Sequence, residues 1–181
     1  AIGEVVAHLP AEHREGAGTG AVVFAGAVLE HMADGVIITD HEGRVVIQNI
    51  VLALLLDHLI ASRGWRGGVA RSVATTCLLD RIAHRHGLPL ITTPVGFKFL
   101  ADLFIQDRIM FGGEESASIA VRDHLPEKDG ILAGVLLAEM LATRGKKLAE
   151  LVEDLFRTYG ERFYVQKTIP LTAERARKLK S

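Results

Sequence analysis

The sequence predicts an α/β fold, a three-layer α/β/α sandwich with helices on both faces of a mostly parallel or mixed sheet. Three observations predict it. Between about Gln48 and Gly160, short apolar runs alternate with longer amphipathic stretches. Glycine or proline marks nearly every joint between them. Residues suited to helix capping, such as Asn49, Thr75 and Asp129, stand where helices should begin. Strands that alternate with helices need crossover connections, which make neighbouring strands parallel and cover both faces of the sheet.

The elements follow in order. Residues 1–20 carry only a weak pattern, read as a helix and then a glycine-containing loop, and residues 21–29 form an apolar run fit for a buried strand. Residues 36–39 and 44–47 flank Asp40-His41-Glu42-Gly43, which predicts a hairpin. Asn49 is placed to cap a helix in which Ile50, Leu54, Asp57 and His58 recur at helical spacing. Gly64-Trp65-Arg66-Gly67-Gly68 breaks that helix, and residues 69–73 make a short strand. Thr75 or Thr76 starts a helix that runs to about His86 and stops at Gly87. Residues 89–92 are the next strand, and Pro94 leads into a helix through Phe97, Leu100, Ala101 and Phe104. Residues 109–111 form a strand ending at Gly112-Gly113. A polar loop then reaches Asp129, the cap of a long apolar helix over 130–143, and a further amphipathic helix over 147–159 is closed by Gly160. Residues 162–167 as a strand and 172–180 as a basic helix start form a connector. No internal repeat or low-complexity tract is present.

Composition narrows the function. The chain has 181 residues, with 21 Lys plus Arg against 22 Asp plus Glu, so its net charge of −1 gives no field for nucleic acid or an anionic membrane. No apolar run approaches the roughly 20 residues of a membrane span. One cysteine, Cys77, excludes an internal disulfide and a cysteine-based zinc site, and fits a reducing compartment. No basic segment leads into a hydrophobic one at the N-terminus, so a cytoplasmic location is expected. The mean hydropathy of +0.24 is high. It implies either a generous core or apolar surface meant for a neighbour.

Ligands of open α/β sheets gather at the carboxyl ends of strands, which directs attention to three loops. Arg71-Ser72-Val73-Ala74-Thr75-Thr76 offers hydroxyls at a helix start, suited to capping or to an anion. Thr92-Thr93-Pro94-Val95-Gly96-Phe97-Lys98 offers a glycine for close backbone approach and a lysine point charge. Gly112-Gly113-Glu114-Glu115-Ser116 carries the strongest signal, because two carboxylates and a hydroxyl are expected to converge at one strand end, cleared of bulk by two glycines. Such acceptors suit the vicinal hydroxyls of a sugar. Lys128, just before a helix start, could reach back over that loop toward a phosphate, or partner Glu127 or Asp129. The eight histidines show no metal-ligand spacing, and Cys77 reads as a core residue inside a helix.

At these loops the sequence resembles the α-D-phosphohexomutases, the phosphoglucomutase/phosphomannomutase family, mainly in its third domain. The resemblance rests on Arg71-Ser72-Val73-Ala74-Thr75-Thr76-Cys77-Leu78-Leu79-Asp80, Thr93-Pro94-Val95-Gly96-Phe97-Lys98, Gly112-Gly113-Glu114-Glu115-Ser116 and Glu127-Lys128-Asp129-Gly130, in that order. It implies residues 1–47 as the degenerate end of a second domain, 48–160 as the sugar-recognition domain 3, and 161–181 as a linker toward an absent fourth domain. The family interconverts hexose 1- and 6-phosphates through a phosphoserine of its first domain and a Mg²⁺ loop of its second. By motif, Glu114 and Ser116 contact sugar hydroxyls, Val95 and Gly96 line the pocket, and Lys128 helps hold a hexose phosphate. No catalytic or metal residue is assigned. The phosphoserine loop is missing, and Glu30-His31-Met32-Ala33-Asp34-Gly35 stands where the family has Asp-x-Asp-Gly-Asp-Arg, with Met32 unsuited to a hard cation. Mg²⁺ is therefore expected in the intact family enzyme but not on this chain. A truncated sugar-phosphate-recognising domain, inactive alone, is the expectation. Its partners would be the missing domains or another chain. The alternative is a non-catalytic sugar-phosphate-binding or protein-interaction module.

Overall fold

A computed structural model describes residues 48–116 and 119–162, together with the strand backbone of Ile38–Thr39 and Val45–Val46. The expected strand at 21–29, the Glu30–Gly35 loop and the tail elements after Arg162 lie outside the described residues. β1 (Ile38–Thr39) and β2 (Val45–Val46) pair antiparallel, Ile38 opposite Val46, as the hairpin reading requires.

From there the order is α1 (Gln48–Arg63), β3 (Val69–Ser72), α2 (Leu78–Arg85), β4 (Leu90–Thr93), α3 (Phe97–Ile105), β5 (Phe111–Gly113), β6 (Ile119–Val121), α4 (Gly130–Arg144) and α5 (Leu148–Tyr159). The four-stranded sheet runs β4-β3-β5-β6. β4, β3 and β5 are parallel, and β6 returns antiparallel to β5. The fold is thus the expected α/β/α sandwich with a mixed sheet.

Side chains explain the layers. Successive strand residues point to opposite faces, and Val69, Phe111, Ile119 and Val121 join the larger core, which is built with α1, α2, α4 and α5. Ala70 and Ala120 face the other way, into a smaller core with Phe97, Leu100 and Leu103 of α3. Ala70, Gly112 and Ala120 lie in register across three strands. This row of small residues lets α3 sit close: a Cβ at Gly112 would stand 3.2 Å from Phe104 and 3.3 Å from Ile109.

Several boundaries differ from the sequence reading, each for a physical reason. Asn49 does not cap α1. It is buried, and its Oδ1 accepts the Thr76 N–H at 3.0 Å, pinning the loop after β3. Cys77 is exposed at the N-cap of α2 rather than buried within it. β5 begins at Phe111, two residues after the expected start, and the Met110 N–H just before it donates to the Gly68 carbonyl at 2.7 Å. β6 lies inside what reads as a polar loop. Asp129 does cap α4, its carboxylate accepting the Leu132 N–H at 2.9 Å, and Gly145 ends that helix in the left-handed conformation.

Candidate functional site

Three parallel strands deliver their carboxyl ends to one edge of the sheet. Ser72 stands beside Thr93 in register, and Arg71 beside Gly113. The loops after β3, β4 and β5 therefore open on the same side. β6 begins there too, because Ile119 pairs with Gly113. The Asp129 N–H donates to the Ile119 carbonyl at 3.1 Å, which brings the start of α4, and exposed Lys128, to that edge.

Glu114 is the most constrained of the candidate residues. It is 6% exposed, and its Oε1 accepts the Gly96 N–H at 2.7 Å. Gly96 follows β4 and Glu114 follows β5, strands separated by β3. One side chain thus fastens together two loops that do not adjoin in the sheet. Gly96 adopts φ +131°, a conformation that side-chain-bearing residues rarely take. Val95 beside it is 56% exposed, and Val73 after β3 is 64% exposed, so both leave apolar surface at the rim.

The two neighbouring carboxylates do not converge, contrary to the expectation. Glu114 is engaged with the loop after β4, whereas Glu115 Oε2 accepts the Ser72 hydroxyl at 3.1 Å, at the end of β3. Ser72 Oγ lies 2.9 Å from Thr75 Oγ1, which also comes within 3.3 Å of the Gly113 carbonyl. Ser116 is exposed in the turn that follows and is engaged in an interaction of its own. Lys98 is exposed, with Nζ 5.0 Å from the Phe99 ring centre. Lys128 donates its backbone N–H to Glu127 Oε1 at 2.9 Å.

Behind the site, Arg71 and Asp80 form a two-pronged ion pair, with Nη2 and Oδ2 2.7 Å apart. The hydrogen bond to Asp80 raises the Arg71 pKa further, against the opposing effect of burial. Arg71 also donates Nη1 to the Ser72 carbonyl at 3.0 Å. The pair ties β3 to α2 and holds the first loop in place. Sequence reading passes over it because a separation of nine residues matches no helical or strand period. The Ser72–Thr75–Glu115 contacts were equally hidden, since Ser72 and Glu115 are 43 residues apart.

Among the described residues, no three His, Cys, Asp or Glu side chains gather into a metal-binding set. Glu30 and Asp34 lie outside them. No described helix is long and apolar enough to cross a membrane.

Comparison with known proteins adds an independent line. The family profile of phosphoglucomutase/phosphomannomutase, alpha/beta/alpha domain III, matches residues 48–159. A phosphoglucomutase of Komagataeibacter xylinus is 32% identical over 141 residues, covering 74% of this chain and 25% of that protein. A phosphoglucomutase/phosphomannomutase of Thermococcus kodakarensis is 31% identical over 127 residues, covering 70% and 28%. The chain thus spans about a quarter of the length of these curated relatives. Among solved structures, one from Thermus thermophilus assigned as a phosphomannomutase superposes with a TM-score of 0.66 at 35% identity, covering 77% of this chain and 34% of that one. The open form of parafusin, a phosphoglucomutase from Paramecium, gives 0.62 at 28% identity, covering 71% and 24%.

Proposed function

This chain belongs to the phosphoglucomutase/phosphomannomutase family through its α/β/α domain III, and from that membership we propose that it recognises the sugar of a hexose phosphate. The observation that carries the reading is the Glu114–Gly96 hydrogen bond, which joins the loops after β4 and β5 into one shaped edge. A carboxylate held in this way is ordered before any ligand arrives. Preorganised acceptors bind more tightly because less freedom is lost on association.

The residues divide the work. Glu114 and Ser116 accept and donate hydrogen bonds to ring hydroxyls. Val95 and the backbone of Gly96 form the wall against which the ring lies. Lys128, brought to the same edge by the Asp129–Ile119 hydrogen bond, faces the phosphate as a point charge. Residues 48–160 form the recognition domain, with 1–47 and 161–181 as flanking segments of neighbouring units. Phosphoryl transfer in this family draws on a donor serine and a metal loop outside this domain, so binding is the task of the residues described. No step through Mg²⁺ is assigned to them.

The test is an NMR titration of the full chain with glucose 1-phosphate. The amide signals of Gly96, Glu114 and Ser116 should shift. Glu114→Ala should weaken binding by about tenfold or more, since a hydrogen bond to a charged group is worth about 1.5–3 kcal/mol. Spectra of the wild-type chain that stay unchanged at millimolar sugar phosphate reject the reading.

A further inference from the structure

We propose that Glu115 is a positioning residue, which acts through the buried hydroxyls of Ser72 and Thr75 to hold the turn from which Glu114 reaches Gly96. The inference rests on the reading of Glu114 as a ligand-facing group. It assigns no ligand contact to Glu115 itself.

The argument begins where the sheet stops. The β3–β5 ladder ends at Arg71 and Gly113, one residue before Ser72. Beyond it no backbone pairing joins these two strands, while β3 and β4 stay paired through Ser72 and Thr93. The Ser72–Glu115 hydrogen bond therefore continues the β3–β5 pairing with side chains. Glu115 is half-buried, Ser72 is fully buried and Thr75 is 5% exposed. Buried hydroxyls need partners, and here those partners belong to the turn.

Proton counting gives the chain its direction. Two hydroxyls carry two hydrogens, yet three contacts surround them: Ser72 to Glu115, Ser72 to Thr75 and Thr75 to the Gly113 carbonyl. The shorter contacts are satisfied together when Thr75 donates to Ser72 and Ser72 donates to Glu115. Donors aligned in series toward a carboxylate reinforce one another. The 3.3 Å contact to Gly113 is then the alternative that Thr75 adopts if Ser72 is lost.

Glu114 and Glu115 are consecutive, so fixing one backbone orientation fixes both. With Glu115 held to Ser72 of β3, Glu114 reaches past β3 to Gly96, which follows β4. Freed of Ser72, the turn can rotate and the Glu114–Gly96 hydrogen bond loses its constraint.

Hydrogen exchange at the Gly96 amide, in the full chain, reads this directly. Glu115→Ala and Ser72→Ala should each speed Gly96 exchange by roughly tenfold, while the amide of Ile82 in the larger core keeps its wild-type rate. Glu115→Gln keeps an oxygen for Ser72 and should restore near-wild-type exchange, a rescue that a merely space-filling role would not show. If Glu115→Ala proves unstable, Thr75→Val tests the same chain from its other end. Gly96 exchange unchanged in Glu115→Ala or, in that case, in Thr75→Val overturns the proposal. Glucose 1-phosphate titrations of the same proteins separate the two readings. Weaker binding in Glu115→Ala, rescued in Glu115→Gln, supports the positioning role. A wild-type chain indifferent to the sugar overturns the recognition reading, and the exchange rates still decide the role of Glu115.

Discussion

At the scale of single residues, Gly96 shows how much chemistry one position can condense. Its place after a strand already marks it in the sequence as a point of close backbone approach. What the sequence does not show is that its N–H is taken by Glu114, 18 residues on. An added Cβ would meet only Phe99, at 3.6 Å, which is ordinary contact. Space therefore does not demand glycine, but the backbone angle does. Gly96→Ala should lower stability by about 1–3 kcal/mol, read as a shift in the urea midpoint, because a side chain at this φ is strained. A variant as stable as wild type would mean that the loop relaxes to another conformation. The same limit explains Glu114 and Glu115. Residue type announces two acceptors, but only backbone direction tells which way each one faces. It explains Cys77 as well, since helical periodicity places a residue correctly only when the helix start is known, and α2 starts at Leu78, two or three residues after the expected Thr75 or Thr76.

At the scale of elements, periodicity carried most of the fold. The helices, β3 and β4 fall within a few residues of their expected bounds, because each combines an apolar face with a clear stop. β6 escaped notice because its three residues are too few for a period to register among polar neighbours. It is nevertheless fully buried and completes the sheet. The start of α4 was legible in Asp129 alone. Its carboxyl is held below the usual carboxylate range, first by the Leu132 N–H and then, against burial, by His124, 2.9 Å away. A depressed folded-state pKa contributes stability above the unfolded value near 3.9, and that stability is lost as pH falls through the folded value. Asp129→Ala should therefore cost about 1 kcal/mol at neutral pH. In paired denaturation curves the gap between variant and wild type should narrow as the pH falls below about 3.9. A gap that does not narrow at all on acidification would show that the cap does not act through its charge.

At the scale of the whole molecule, α1 accounts for part of the high hydropathy. α1 has ten buried residues and is packed among α2, α4 and α5. A helix apolar on nearly every side belongs in an interior. Within it His58 is fully buried, with Nδ1 unpartnered and Nε2 3.4 Å from Glu139. Burial pushes the His58 pKa down despite the pull of Glu139, and Arg144 and Arg63 push the same way. A lowered value means that the unfolded chain binds the proton first. Stability is therefore complete above about pH 6.5 and falls on acidification below it, by at most about 1.4 kcal/mol per pH unit for this group. His58→Met should flatten the stability profile between pH 7.5 and 5.5. Equal slopes in both proteins would assign the acid sensitivity to other groups.

The return of the chain at β6 has a consequence for how such a site can vary over evolution. Ile119 and Val121 pack into the larger core while Ala120 faces α3. A slip of one residue in the pairing of β6 with β5 would invert that alternation, setting branched side chains against the helix that needs small ones. The register that sets Gly113 opposite Ile119, at the two ends of the segment bearing Glu114 and Ser116, is thus held by the packing of β6. Descendants of this sequence are free to exchange side chains in that segment, so long as β6 returns to the sheet in the same register.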